Sequence, residues 1–74
     1  MTSEDEVRAT RNNLLAASDW TQTADAPLTE NERLRWRQYR QRLRDIPQQY
    51  GFPDLVVWPD EPERDPVVVG QDTI

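Results

Sequence analysis

The sequence predicts a mainly α protein, a small two-helix hairpin followed by an extended, proline-rich C-terminal arm. Two helix-start signals lie in the first half of the chain, and five of the six prolines lie from Pro47 onward. Three tryptophans, Trp20, Trp36 and Trp58, are spread over three different segments of a polar chain of 74 residues. Tryptophan brings a large apolar surface wherever it packs, so each segment has one bulky side chain to contribute to a small core.

The first helix is predicted to begin at Ser3 and to run to about Ser18. Ser3 is a good N-cap, and Glu6 stands three residues later, which is the spacing of a capping box. The acidic residues of the first turn suit the positive end of the helix dipole. Its apolar stripe is weak and consists of Val7, Leu14 and Leu15.

The second helix has the clearer pattern and follows an aperiodic connector over residues 20–26. Thr29 and Glu32 have capping-box spacing, and Pro47 predicts a helix end near Asp45 or Ile46. The apolar stripe of this helix has the spacing 3, 4 and 3, which places its members on one face. These residues are Trp36, Tyr39, Leu43 and Ile46.

After Pro47 the chain changes character. Residues 51–54 have the composition of a turn. Residues 55–58 and 67–69 are short runs with strand propensity, so we predict two possible strands there. Residues 60–66 form an acidic segment interrupted by prolines. We therefore divide the chain into a helical-hairpin domain at 1–59 and an acidic tail at 60–74.

Five side chains are predicted to anchor the core, and their burial would supply most of the stability. They are Trp20, Trp36, Tyr39, Leu43 and Phe52. Trp58 has two readings, because its β-prone run either packs on the hairpin or adds to the edge of a partner's sheet. The same reasoning makes two groups candidates for binding a partner. These are Leu55, Val57 and Trp58, and then Val67, Val68 and Val69.

Composition argues against an enzyme, a cofactor site and a membrane protein. The chain has no His and no Cys, so it lacks the usual bases, nucleophiles and soft metal ligands. The acids of residues 60–65 lack the spacing of a calcium loop and are read as a solvated segment. No apolar run approaches the roughly 20 residues needed to span a bilayer. The acidic N-terminus does not resemble a signal peptide, so we expect a soluble protein.

The second helix carries six of the nine arginines, and four of them form one stripe beside its aromatic face. The four are Arg33, Arg37, Arg40 and Arg44. Such a stripe is solvated or paired with the chain's own acids, or it binds a protein partner, or it binds nucleic acid. The first reading is favoured, and the net charge of −5 makes nucleic acid the least favoured of the three.

Several consecutive strings resemble the phage tail assembly chaperone family. They begin at residues 14–22 (LLAASDWTQ) and continue at 25–29 (DAPLT) and 36–40 (WRQYR). They end with residues 43–48 (LRDIPQ), Phe52-Pro53 and residues 56–59 (VVWP). The resemblance covers about residues 7–59 and is specific as a string.

The resemblance implies a protein that assists assembly of the tail or tail fibre of a bacteriophage, without catalytic residues. Its expected partner is another phage tail or tail fibre protein, with a homo-oligomer within an assembly as a further option. Such a protein acts in the host cytoplasm during assembly. The alternative is a small structural protein that stays in the tail of the virion, and a nucleic-acid-binding regulator ranks third.

Overall fold

Two packed α-helices form the body of the molecule in the computed structural model, which describes residues 3–63. Helix α1 spans Glu4–Ser18 and helix α2 spans Glu30–Arg44. A 3₁₀ turn at Asp19–Gln22 follows α1, and a second one at Ile46–Gln48 follows α2. The predicted mainly α hairpin is therefore confirmed.

The helices begin where their caps predict. The Oγ of Ser3 accepts a hydrogen bond from the backbone N–H of Glu6 at 3.1 Å. In α2 the capping box is complete, since Thr29 Oγ1 accepts from the Glu32 N–H at 3.0 Å while Glu32 Oε1 accepts from the Thr29 N–H at 2.9 Å. Both arrangements satisfy N–H groups that the first turn of a helix leaves unpaired.

The end of α2 is set by the sequence Asp45-Ile46-Pro47. Asp45 is the C-cap, and its N–H still donates to the carbonyl of Gln41 at 3.0 Å. Pro47 has no N–H to continue the helical ladder, so the chain tightens into the second 3₁₀ turn. Ile46 is fully buried at this point, which ties the end of α2 to the core.

The buried apolar core is small. It consists of Val7 on α1, Tyr39 and Leu43 on α2, and Ile46 in the second 3₁₀ turn. A domain of this size buries a modest fraction of its surface, so each of these side chains carries a large share of the stability.

Of the predicted core anchors, Tyr39 and Leu43 are buried, while Trp36 and Phe52 are half-buried. Trp20 departs from the prediction because it is 43% exposed. It lies in the 3₁₀ turn at Asp19–Gln22 that follows α1, and its ring packs on that of Trp36.

The predicted strand at residues 55–58 does not form. Residues 56–63 contain neither helix nor strand, and no other segment between residues 3 and 63 offers a strand to pair with them. A segment with strand propensity forms a strand only where a neighbouring strand supplies hydrogen bonds and side-chain contacts. The predicted strand at 67–69 lies outside the described residues, and the division at residue 59 stays a prediction.

Candidate binding surfaces

The side chain of Arg40 connects α2 to the end of α1 and to the start of the turn between the helices. From α2 its Nη1 donates to the carbonyl of Leu15 at 2.7 Å and to the Oγ of Ser18 at 2.7 Å. Its Nη2 forms an ion pair of 2.7 Å with Asp19. The guanidinium therefore caps the C-terminus of α1, where carbonyls lack helical partners and the helix dipole favours a cation.

The buried hydroxyls next to Arg40 complete this arrangement. Ser18 Oγ donates to the carbonyl of Leu14 at 2.9 Å, and Thr21 Oγ1 donates to the carbonyl of Ser18 at 2.6 Å. Among the described residues, no buried side-chain nitrogen or oxygen is left without a hydrogen-bond partner. The strings SDWTQ and WRQYR are therefore the two sides of one polar contact.

Arg33 has a comparable structural role further along the same turn. Its Nη1 donates to the carbonyl of Thr23 at 2.8 Å, and its Nη2 reaches the carbonyl of Ala26 at 3.5 Å. The predicted stripe of four arginines thus divides into two pairs. Arg33 and Arg40 hold the connector, whereas Arg37 and Arg44 are exposed and form no ion pair with any residue from 3 to 63.

An aromatic row extends from the turn into the core. The ring centroids of Trp20 and Trp36 are 6.0 Å apart, and those of Trp36 and Tyr39 are 5.6 Å apart with edge-to-face geometry. Such tilted pairs are favourable beyond the area that they bury. Burial, and secondarily the carboxylate of Glu61, raises the pKa of Tyr39 above its ordinary value of 10.0.

The C-terminal arm, residues 56–63, lies against both helices. Trp58 lines one cavity with Val7 and Thr10 of α1 and another with Arg42 of α2. Further along, Pro62 lines a cavity with residues of both helices, including Trp36. Trp58 therefore packs partly on the hairpin, with 37% of its surface exposed. It offers a partner a smaller exposed fraction than Leu55 and Val57 do.

One glutamine attaches the arm to the end of α2. The side chain of Gln49 donates from Nε2 to the carbonyl of Val57 at 2.8 Å and accepts at Oε1 from the Val57 N–H at 2.8 Å. These are the two hydrogen bonds that a residue of a neighbouring strand would make. The Gln49 amide takes the place of a strand, so one backbone edge of Val57 is closed to a partner.

Three large side chains near the Gln49 attachment are exposed to solvent. Tyr50 is fully exposed, and Leu55 and Val57 are each 76% exposed. The backbone joins them closely, because Gln49 contacts Val57 and the Gly51 carbonyl accepts from the Leu55 N–H at 2.6 Å. We call Tyr50, Leu55 and Val57 the arm patch.

The arm patch was only partly predictable. Leu55 and Val57 are candidates from the sequence, whereas Tyr50 is not, because no periodic pattern marks a residue inside a turn. Contiguous exposed apolar side chains mark interaction sites in small soluble proteins. Val67, Val68 and Val69 lie outside the described residues.

Metal binding and membrane insertion find no support in the described part of the chain. No group of three or more carboxylates there has the geometry to hold a metal ion. Neither helix is long and apolar enough to cross a membrane.

Comparison with known proteins gives one match. The family model described as "Phage tail assembly chaperone protein" matches residues 4–63, which include both helices, the Arg40 contact and the arm. No curated protein and no solved structure matches the chain.

Proposed function

This chain belongs to the phage tail assembly chaperone family, a family of non-enzymatic proteins, and we propose that it acts by binding another tail or tail fibre protein of its phage. The binding takes place in the host cytoplasm while the tail is assembled. Nothing in this role calls for a cofactor, so recognition between surfaces is the whole of its chemistry.

The observation that carries this proposal is the arm patch. Tyr50, Leu55 and Val57 expose aliphatic and aromatic surface within one short segment of the chain, on a molecule whose own core holds only four buried apolar residues among those described. Exposing such side chains has no benefit for the isolated chain, whereas covering them contributes roughly 25 cal/mol per Å² of apolar area. Tyrosine in particular is enriched where protein interfaces derive most of their binding energy.

The test is a pairwise binding measurement between the full chain and each tail and tail fibre protein of the phage. We expect one of them to bind at micromolar concentration or tighter. The double variant Leu55→Ser/Val57→Ser should weaken that binding at least about tenfold, since it removes two apolar contacts. Its circular dichroism spectrum should stay unchanged, because both side chains are exposed.

A matched control is Ala9→Ser/Ala16→Ser, which introduces the same two hydroxyl groups at exposed apolar positions of α1, remote in sequence from the patch. Loss of binding in the patch variant alone would support the proposal. Absence of any tail protein binding at micromolar concentration would overturn it.

A structural role in the finished virion uses the same patch for a permanent contact. Mass spectrometry of purified particles distinguishes the two roles, because a chaperone should be absent or substoichiometric there. Sedimentation of the free chain would reveal a homo-oligomer within an assembly, the remaining option for the partner.

A further inference from the structure

The outward side of α2 carries a stripe with the spacing of a helix-packing seam. Leu34, Arg37, Gln41 and Arg44 are separated by 3, 4 and 3 residues, which places them along one line of the helix. Leu34 is 47% exposed, and the other three side chains are also exposed. We call these four residues the outer seam.

Positive charge on the outer seam is not balanced within the described residues. Neither Arg37 nor Arg44 has an acidic residue three or four positions away on the helix, and neither forms an ion pair with residues 3–63. Among residues 3–63, the guanidinium of Arg44 donates only to the neutral Gln41, from Nη2 to Oε1 at 3.0 Å. This uncompensated charge stands out on a chain of net charge −5.

From these observations we propose that the outer seam binds an acidic helical segment of the tail protein, with carboxylates opposite Arg37 and Arg44 and an apolar side chain opposite Leu34. The proposal rests on the proposed function and names the chemistry of the partner. The two arginines are seven positions apart, which is about 10.5 Å along α2. Acids seven residues apart on a partner helix have the same spacing, so both pairs form together.

Gln41 contributes to this geometry between the two arginines. Its Nε2 donates to Asp45 Oδ1 at 3.1 Å while its Oε1 accepts from Arg44. The guanidinium of Arg44 is thus held on the seam before a partner arrives, which lowers the ordering cost of forming an ion pair.

A helical protein segment fits the outer seam better than nucleic acid does. Only two of the four stripe arginines are available, since Arg33 and Arg40 donate to the connector and to α1. Leu34 between charged neighbours adds an apolar contact that a phosphate backbone cannot use. The net negative charge also repels a polyanion at long range.

The experiment uses the full chain and whichever tail protein binds it in the pairwise measurement described above. The charge-reversal variant Arg37→Glu/Arg44→Glu should weaken that binding about tenfold to a hundredfold. The matched control is Arg11→Glu on α1, whose guanidinium donates to the neighbouring Asn12 and which belongs to neither surface, and it should change the affinity less than about threefold. Wild-type binding should weaken with added salt, whereas binding of the reversed variant should strengthen, because salt screens the repulsion between its glutamates and the partner's carboxylates.

Each outcome has a distinct meaning. If a tail protein binds and the charge-reversed variant binds it equally well, the outer-seam proposal is overturned while the proposed function stands. If no tail protein binds at all, both fall. A 20-nucleotide single- or double-stranded DNA that binds wild type at micromolar concentration, and not the charge-reversed variant, would overturn the proposal in favour of a nucleic-acid surface.

Discussion

Replacing Arg40 should destabilise the protein far more than replacing Arg37, an exposed arginine of the same stripe. The side chain of Arg40 is 13% exposed and donates three hydrogen bonds of 2.7 Å across the turn. Arg37 lies on the same helix, is exposed and forms no such contact within residues 3–63. Arg37→Ala therefore controls for the loss of charge and the change in helix propensity.

The magnitude follows from the three contacts. Hydrogen bonds from a charged group contribute roughly 1.5–3 kcal/mol each when their loss leaves a buried partner unpaired. Leu15 and Ser18 retain a hydrogen bond to each other at 3.1 Å, so we take about 1 kcal/mol for each of these two contacts. The pair with Asp19, whose side chain is 67% exposed, adds less than about 1 kcal/mol. With the packing of the aliphatic stem, Arg40→Ala should cost about 2–4 kcal/mol.

That loss is large beside the total stability of a small domain, which is roughly 0.05–0.15 kcal/mol per residue. Urea unfolding followed by circular dichroism measures the difference between Arg40→Ala and Arg37→Ala. Arg40→Lys should recover only part of the loss, because an ammonium lacks the fork that spans both sides of the turn. A difference below about 0.5 kcal/mol between the two alanine variants would show that Arg40 does not cap α1 in solution.

Three further predictions concern the arm and the core. Gln49→Ala removes both side-chain hydrogen bonds to the arm and should speed amide hydrogen exchange of residues 55–60. The control Gln48→Ala should leave that exchange unchanged. Equal exchange rates in the two variants would contradict the attachment. Gly51→Ala should lower the melting temperature by several degrees, because the Cβ of the new alanine would lie 2.6 Å from both the Cβ and the carbonyl oxygen of Leu55. An unchanged melting curve would show that the turn relaxes freely. Because its folded-state pKa is raised, Tyr39 contributes stability that is complete below about pH 10 and is lost as the pH rises through that pKa. Tyr39→Phe should therefore lose less stability than wild type between about pH 9 and about pH 11 in urea unfolding, and equal losses would refute the assignment.

Local signals made the helices predictable. The capping hydrogen bonds join side chains to N–H groups within one helical turn, at Ser3, Thr29 and Glu32. Likewise, Pro47 ends the helix that directly precedes it. Such effects need no knowledge of the rest of the molecule, so the helix boundaries follow from the chain alone.

The role of Arg40 was not predictable in the same way. A helical wheel groups it with Arg33, Arg37 and Arg44, and it cannot show that the end of α1 lies within reach of only part of the stripe. The crossing of the two helices decides which arginines find carbonyls and which remain in solvent. A periodic pattern thus identified the charged surface, but not which of its arginines bind backbone carbonyls and which remain exposed.

The missing strand has a related cause. Residues 55–58 are β-prone, but propensity does not reveal whether a second strand exists to receive them. Here the Gln49 side chain makes the two hydrogen bonds to the Val57 backbone. The sequence does not show that a glutamine in a turn will bind the backbone in this way. Tyr50 was overlooked for the same reason, since its exposure depends on the path of the turn around it.

The contact made by Arg40 also bears on how the chain is made. Its partners stand only 21 to 25 residues back in the sequence, and the residues joined by the Gln49 attachment are 8 apart. Short separations of this kind favour rapid folding and allow structure to form in the order of synthesis. The hairpin can close once α2 has left the ribosome, and the arm can then settle against a surface that already exists.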